Sequence, residues 1–366
     1  MRMLIFGLTV TSSWGNGHAT LWRGLIRSLA RLGWSISFFE HDTPYYAGTR
    51  DLHQLDGGNV VLYPSWEDIR HAAEIEIRHA DIVIVTSYCP DAVEASRLAQ
   101  QSCRGLTVFY DLDTPVTLAR SVRGDYPPYL GPEGLRDFDL VLSYTGGPAL
   151  DALKNILGAR HVLPLYGHVD PDRHRPAQPR AEFAADLSYL GTYAADRQAG
   201  VEKLLVASAA RLPDQRFIIG GAQYPPEFPW SKNIFFVRHL PPADHPAFFC
   251  SSRLTLNVTR EAMAQTGWCP SGRLFEAAAC GAAVISDDWP GMDLFFEPGS
   301  EILLANSTDD VVAALSLPDD ELRPIRSRAR ERVLSEHTSA LRAAELDRML
   351  NDALQAPANV SMKEAV

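Results

Sequence analysis

The sequence predicts an α/β protein built of two Rossmann-like domains that face each other across a cleft. Three observations carry that expectation. Short apolar runs alternate with amphipathic helical stretches, the pattern of parallel sheets wrapped by helices. The run Asp81–Thr86 (Asp-Ile-Val-Ile-Val-Thr) is apolar without alternation, as a strand buried on both faces must be. The alternation breaks once, at a charged and Pro-rich stretch between about Val169 and Pro179, and then restarts.

The elements follow in order. Leu4–Val10 reads as the first strand. Leu21, Leu25, Leu29 and Leu32, with Trp22 and Ile26, keep a helical period, and Gly33 stands where a helix C-terminal glycine belongs. Ser35–Glu40, Asp81–Thr86, Leu106–Tyr110 and Leu140–Ser143 read as strands, with helices from about Asp91 to Gln101 and Pro148 to Leu157. After the break, strands are expected at Leu187–Leu190, Arg216–Ile219, Ile234–Val237, Leu254–Val258 and Ala283–Ser286. Helices are expected at Val201–Leu212 and Arg273–Cys280, and the end of the chain is expected to be helical to about Leu354.

Composition narrows the function. The chain has 366 residues, 46% of them hydrophobic, and a net charge of −11. Wholesale disorder is excluded, and phosphate neutralisation along a nucleic acid is a poor fit. Five cysteines, an odd number with no CxxC, argue against a disulfide framework or a zinc site and for a reducing compartment. No apolar stretch approaches a membrane span, and the apolar N-terminal run is too short for a signal peptide. The expected setting is cytoplasmic, with no transmembrane segment and with peripheral membrane contact left open.

Two loops carry chemistry. Between the first strand and first helix lies Trp14-Gly15-Asn16-Gly17-His18. Glycines there admit a ligand to the backbone, and the helix N-terminus favours anions. A dinucleotide fingerprint needs a third glycine where Thr20 stands, although Glu40 and Asp42 end the next strand as a ribose acid would. The loop otherwise presents His18, which titrates near neutrality and can take a proton from a sugar hydroxyl. The second site is Ser271-Gly272-Arg273-Leu274-Phe275-Glu276. Ser271 reads as an N-cap after Pro270; the helix N-terminus with Arg273 suits a diphosphate. Glu276, one turn on, can accept both hydroxyls of a ribose. The bland alternatives are a loop-bonded His18 and a capped helix with solvated Arg and Glu.

The segment Arg273–Ser286, with Phe296-Glu297-Pro298-Gly299 after it, resembles the donor signature of GT-B glycosyltransferases. It is most similar to the CgeB-like, spore-maturation branch. Ser12–His18, Asp111-Leu112-Asp113-Thr114-Pro115 and His337-Thr338 agree with that branch. The resemblance implies that Glu276 binds the ribose of a nucleotide sugar. It implies that Gly191-Thr192-Tyr193 faces the donor phosphates with Arg197, and that His239 and Leu240 flank the base. Gly221, after Gly220, would let the base approach the backbone. It further implies an acceptor domain over residues 1–168, a linker over 169–186, and a donor domain over 187–335. A helix over 336–354 would return to the first domain, and a flexible tail would cover 355–366. The loop Gly15, Asn16 and Gly17 falls on the acceptor side.

One departure matters. Retaining glycosyltransferases of family 4 pair the ribose glutamate with a second glutamate eight residues earlier, and Trp268 stands there. Retention therefore does not carry over. Asp111 and Asp113 form a DxD, the metal motif of the other large transferase fold. Two carboxylates and a loop are an incomplete shell for a hard cation, so they read as cleft or strand-end residues. Asp113 could orient His18 or replace it as base. Arg260 and Glu261 follow a strand and point to the cleft if strand ends line it. The expected activity is metal-independent transfer of a sugar from a nucleotide diphosphate sugar, a UDP-sugar by family frequency, to an unknown acceptor. No cofactor and no bound metal are expected. A nucleotide-sugar epimerase, or a non-catalytic nucleotide- or carbohydrate-binding protein of this fold, remain the alternatives.

Overall fold

The computed structural model describes residues 1–355; apart from its first residue, the tail expected over 355–366 lies outside the described residues. The N-terminal lobe runs β1 (Arg2–Gly7), α1 (His18–Arg31), β2 (Ser35–His41), α2 (Pro44–Ala47), β3 (Asn59–Tyr63), α3 (Trp66–Arg78) and β4 (Ile82–Thr86). It continues with α4 (Ala92–Ser102), β5 (Leu106–Asp111), α5 (Thr114–Val122), β6 (Leu140–Ser143), α6 (Pro148–Leu157) and β7 (Val162–Pro164). The C-terminal lobe runs β8 (Ala185–Leu190), α7 (Ala195–Val201), α8 (Ala207–Arg211), β9 (Phe217–Gly221), β10 (Ile234–Arg238), α9 (His245–Cys250) and β11 (Ser252–Asn257). It ends with α10 (Glu261–Thr266), α11 (Gly272–Ala279), β12 (Ala283–Ser286), β13 (Leu303–Leu304), α12 (Thr308–Ser316), α13 (Asp319–Glu336) and α14 (Ser339–Gln355).

Both sheets are wholly parallel and share one strand order. The first is β3-β2-β1-β4-β5-β6-β7 and the second β10-β9-β8-β11-β12-β13. Each is the doubly wound order in which the chain starts mid-sheet, works outward, and returns to the other side. The central strands explain their sequences. Every residue of β4 and of β5 is buried, because helices cover both faces. Two apolar clusters flank the first sheet and two the second.

β1 ends at Gly7, three residues before the expected Val10. The chain turns away to wrap the fully buried Glu40. That carboxylate accepts from the amides of Val10 at 2.8 Å and Thr11 at 3.1 Å, from the Thr9 hydroxyl at 2.8 Å, and from the Thr11 hydroxyl. Glu40 is therefore spent on loop structure, and Asp42 pairs with Arg50. The dinucleotide reading loses its ribose acid. The helix expected from Val201 begins earlier, at Ala195, and passes through a π-helical turn at Glu202–Val206 into α8.

The Pro-rich stretch joins the lobes and meets the C-terminal crossing. The Val169 amide donates to His337 at 2.9 Å, and the Ser339 amide donates to Val169 at 2.7 Å. From there α14 packs on α1 of the first lobe. Ala343, Leu346 and Leu350 bury there beside Leu25 and Leu29. Trp34 Nε1 donates to Asp347 at 2.8 Å. Among the described residues, no helix is long and apolar enough to cross a membrane.

Candidate active site

In doubly wound sheets, ligands bind beyond the strand C-termini where the strand order reverses. Both sheets turn that edge toward one cleft of about 520 Å³, within the usual range of small-molecule sites. Its walls come from the switch points. Ser13, Gly15, Asn16, Gly17 and His18 follow β1 and Tyr88 follows β4; Gly191 and Thr192 follow β8; Val258, Thr259 and Arg260 follow β11.

The second-lobe wall is built on α11. Pro270 and Ser271 bring the chain into the helix, and Leu274, Phe275 and Ala277–Ala279 bury its back. Ser271 sits at the N-cap position, but its side chain caps nothing, contrary to the sequence expectation. Ser271, Gly272, Arg273 and Glu276 all line the cleft. Arg273 is fixed from below: Nη1 donates to Asn257 Oδ1 at 2.6 Å, Nε donates to the Leu190 carbonyl, and the guanidinium lies 5.1 Å from the Tyr189 ring centre. This leaves Nη2 beside Gly191, where a Cβ would approach it to 2.9 Å.

Glu276 faces two imidazoles and a hydroxyl. Thr20 of α1 donates to its Oε1 at 3.2 Å, across the cleft. His174 Nε2 is 3.7 Å from Oε1 and His245 Nδ1 is 3.8 Å from Oε2. Burial alone would raise its pKa; the histidines and the Thr20 hydroxyl outweigh burial and hold it at about 2. The carboxylate is ionised at any physiological pH.

The other donor candidates divide. Arg197 lines the cleft, with Nη2 donating to the Thr192 carbonyl at 2.6 Å. Gly191, Gly221, His239 and Leu240 also line it. Gly221 has a packing reason of its own: a Cβ there would lie 2.1 Å from the Gly191 carbonyl oxygen. Tyr193 departs from the sequence expectation in its placement. It is not among the cleft-lining residues; its ring stands edge-on to Tyr224 at 5.8 Å, packed beside the β8–β9 core. The residue exposed to the cleft is its neighbour Thr192, because the chain turns its next side chain inward.

The first-lobe wall holds Gly15, Asn16, Gly17, His18 and Asp113. Asn16 ties the loop: its Nδ2 donates to Thr9 at 3.2 Å, and its Oδ1 accepts the His18 amide at 3.1 Å. His18 opens α1, with Nδ1 buried and without a hydrogen-bond partner. Burial lowers its pKa, Asp113 opposes that, and Arg260 adds to it. Asp113 Oδ2 lies 3.6 Å from Arg260 of the other lobe, which also pairs with Asp196 at 2.8 Å. Asp111 does not join Asp113 at the cleft. It is fully buried, with Oδ1 accepting from the Asp113 amide and the Thr117 hydroxyl, both at 3.1 Å. Burial pushes its pKa up to about 7. The two carboxylates do not converge on one ion.

Arg260 reaches the cleft as expected, whereas Glu261 does not line it. Thr20, Tyr88, His174 and His245 were not signalled by any motif. Trp268, eight residues before Glu276, is absent from the cleft wall. Its indole packs instead between Gly147 and Gly291.

The two facing sheets and the cleft between their strand ends define the GT-B fold of glycosyltransferases. Residues 197–348 match the family model described as glycosyl transferase-like. The chain is similar in structure to sucrose-phosphate synthase from Thermosynechococcus elongatus, with 13% identity and TM-score 0.71 over 96% of this chain and 98% of that one. It is similar to Anabaena Alr3699/HepE in complex with UDP-glucose, with 13% identity and TM-score 0.69 over 96% of this chain and 100% of that one. It is also similar to an alpha-glucosyltransferase in complex with UDP-glucose and DNA containing an abasic site. There the identity is 12% and the TM-score 0.67, over 96% of this chain and 99% of that one. No curated protein sequence matches.

Proposed function

We propose that the chain is a glycosyltransferase that moves a hexosyl group from a UDP-sugar to an acceptor hydroxyl bound against the N-terminal lobe. The observation that carries this reading is a juxtaposition. The α11 N-terminus, Arg273 and the ionised Glu276 form one wall of a cleft whose opposite wall holds His18 and Asp113. The UDP-glucose complexes of Alr3699/HepE and of the alpha-glucosyltransferase support the choice of donor.

Glu276 would accept the ribose hydroxyls with its two oxygens. The free amides at Gly272 and Arg273, with the Arg273 and Arg197 guanidinium groups, would hold the diphosphate. His239 and the Leu240 backbone would border the base. Negative charge grows on the diphosphate as the glycosidic bond breaks, and fixed donors aimed there stabilise that charge. Two guanidinium groups and a helix N-terminus supply this without a metal ion.

His18 would be the base. Burial holds its imidazole neutral near pH 7, so it can accept a proton. The acceptor oxygen bonds to the anomeric carbon as its proton passes to His18; UDP leaves with the electron pair. Asp113 would steady the imidazolium that forms. One displacement inverts the anomeric centre, consistent with Trp268 at the position of the retaining enzymes' second carboxylate.

A thermal-shift and calorimetric screen of nucleoside diphosphates and their sugars tests the reading. UDP at about 100 times its Kd should add about 2.7 kcal/mol of stability. Glu276→Ala should abolish that gain. No shift with any nucleoside diphosphate would remove the donor assignment.

A further inference from the structure

We infer that His174, His245 and Glu276 form a binding site for a late first-row divalent cation of the zinc type, and that this cation competes with the donor for Glu276. The competition rests on the donor reading above; the ion site does not. One nitrogen from each histidine and one carboxylate oxygen lie within 4.8 Å of one another.

The two imidazoles are set up as ligands. His245 Nε2 is 3.3 Å from the Leu240 carbonyl oxygen, which can only accept. That nitrogen therefore carries a hydrogen, which leaves Nδ1 as the nitrogen that faces Glu276 Oε2 at 3.8 Å. A bare lone pair facing a carboxylate is repulsive, so Nδ1 holds either a proton that helps keep Glu276 ionised or a metal ion in that proton's place. Metal-binding histidines characteristically donate their other ring N–H to a carbonyl in this way. His174 is held by a turn whose amide donates to Asp170 at 2.8 Å. Its ring is buried, and neither nitrogen has a hydrogen-bond partner in the protein. An unpaired buried polar group costs about 1–3 kcal/mol, and an ion bound to Nε2 would remove that cost.

The dimensions fit. Ligand atoms bound tetrahedrally at about 2.0–2.1 Å stand about 3.4 Å apart. His174 is 3.7 Å from Oε1 and His245 3.8 Å from Oε2, and one ligand atom from each of the three residues lies within 4.8 Å of the others, so the side chains must draw together by about 1 Å or less to share one ion. Two imidazoles and one carboxylate select zinc-like ions over magnesium or calcium. Glu276 and His245 both line the cleft, so the fourth position opens into it. An oxygen bound to the ion no longer accepts from a ribose hydroxyl.

The test titrates chelator-treated full-length protein with Zn²⁺ by calorimetry and with Co²⁺ by visible absorption. One equivalent should bind, with the spectrum of tetrahedral Co²⁺, and His174→Gln and His245→Ala should each lose it. Apparent UDP affinity should fall in proportion as Zn²⁺ rises. Absence of binding by the wild type, or undiminished binding by both variants with native circular dichroism, would overturn the site. Should His174→Gln fail to fold, His245→Ala decides. Simultaneous binding of Zn²⁺ and UDP at full affinity would overturn the competition alone. Failure of the chelator-treated protein to bind UDP would instead count against the donor reading, with the zinc titration still judging the ion site.

Discussion

His18 and Glu276 both serve the proposed reaction unprotonated, one as a neutral imidazole and the other as a carboxylate. A general base acts only when unprotonated. Burial lowers the His18 pKa below the ordinary imidazole value of about 6.5, against the pull of Asp113. Activity should therefore persist through pH 6.5 and fall only as pH drops through the depressed value. An acid limb of kcat/KM centred above 6.5 would show that His18 is not the base. His18→Ala should lower kcat by about 10²–10⁴ while leaving UDP affinity unchanged by calorimetry. Full turnover in that variant would move the base to Asp113. Both residues were legible in the sequence because each follows a local signal, a glycine loop before a helix and an Arg-x-x-Glu at a helix start. Thr20, His174 and His245 were not. They reach Glu276 from the first turn of α1, from the linker and from the start of α9, so only the folded chain assembles them.

At the scale of the element, legibility follows burial. β4 and β5 announced themselves as unbroken apolar runs because both faces are covered. β3 and α3 gave no signal: β3 is an edge strand with one buried residue, and α3 buries only Ala73 and Ile77 among charged neighbours. α5 was hidden behind the DxD that begins it, since Asp111 and Asp113 invited a metal reading rather than a helix start at Thr114. The glycine at the end of β9 shows how an element shapes the site. Because a Cβ on Gly221 would lie 2.1 Å from the Gly191 oxygen, Gly221→Ala must push the β8 and β9 ends apart. Overpacking of this kind costs about 1–3 kcal/mol. The expected result is a lower Tm together with weaker UDP binding, since both glycines edge the cleft. An unchanged Tm would mean that the two strand ends yield freely.

At the scale of the molecule, the two lobes are joined by side-chain contacts as well as by the chain. Thr20 reaches Glu276; Gln223 Nε2 donates to the Tyr45 hydroxyl at 2.6 Å; Trp14 lies 4.4 Å from the His239 ring centre; Arg260 faces Asp113. Trp268 is a further joint. Its carbonyl accepts from Gly146 of the first lobe at 3.0 Å, and its amide donates to Pro290 of the second at 2.7 Å. The indole fills the space that side chains on Gly147 and Gly291 would occupy, where a Cβ would come within 2.5 and 2.4 Å. On the proposed function, the lobes would close to exclude water and open to release the nucleotide. Trp268 is thus placed to set the balance between open and closed. Trp268→Ala removes the packing but not the chemistry, since the residue lies off the cleft wall. Its stability cost should stay below the roughly 3–5 kcal/mol of a fully buried tryptophan, because the ring is partly exposed. Without ligand, the variant should show a larger radius of gyration by small-angle scattering, reversed by saturating UDP. The donor KM should rise more than kcat falls, because binding must now also close the lobes. Equal scattering profiles for the variant and the wild type, with equal KM, would show that closure is governed by the polar contacts across the cleft and not by this ring.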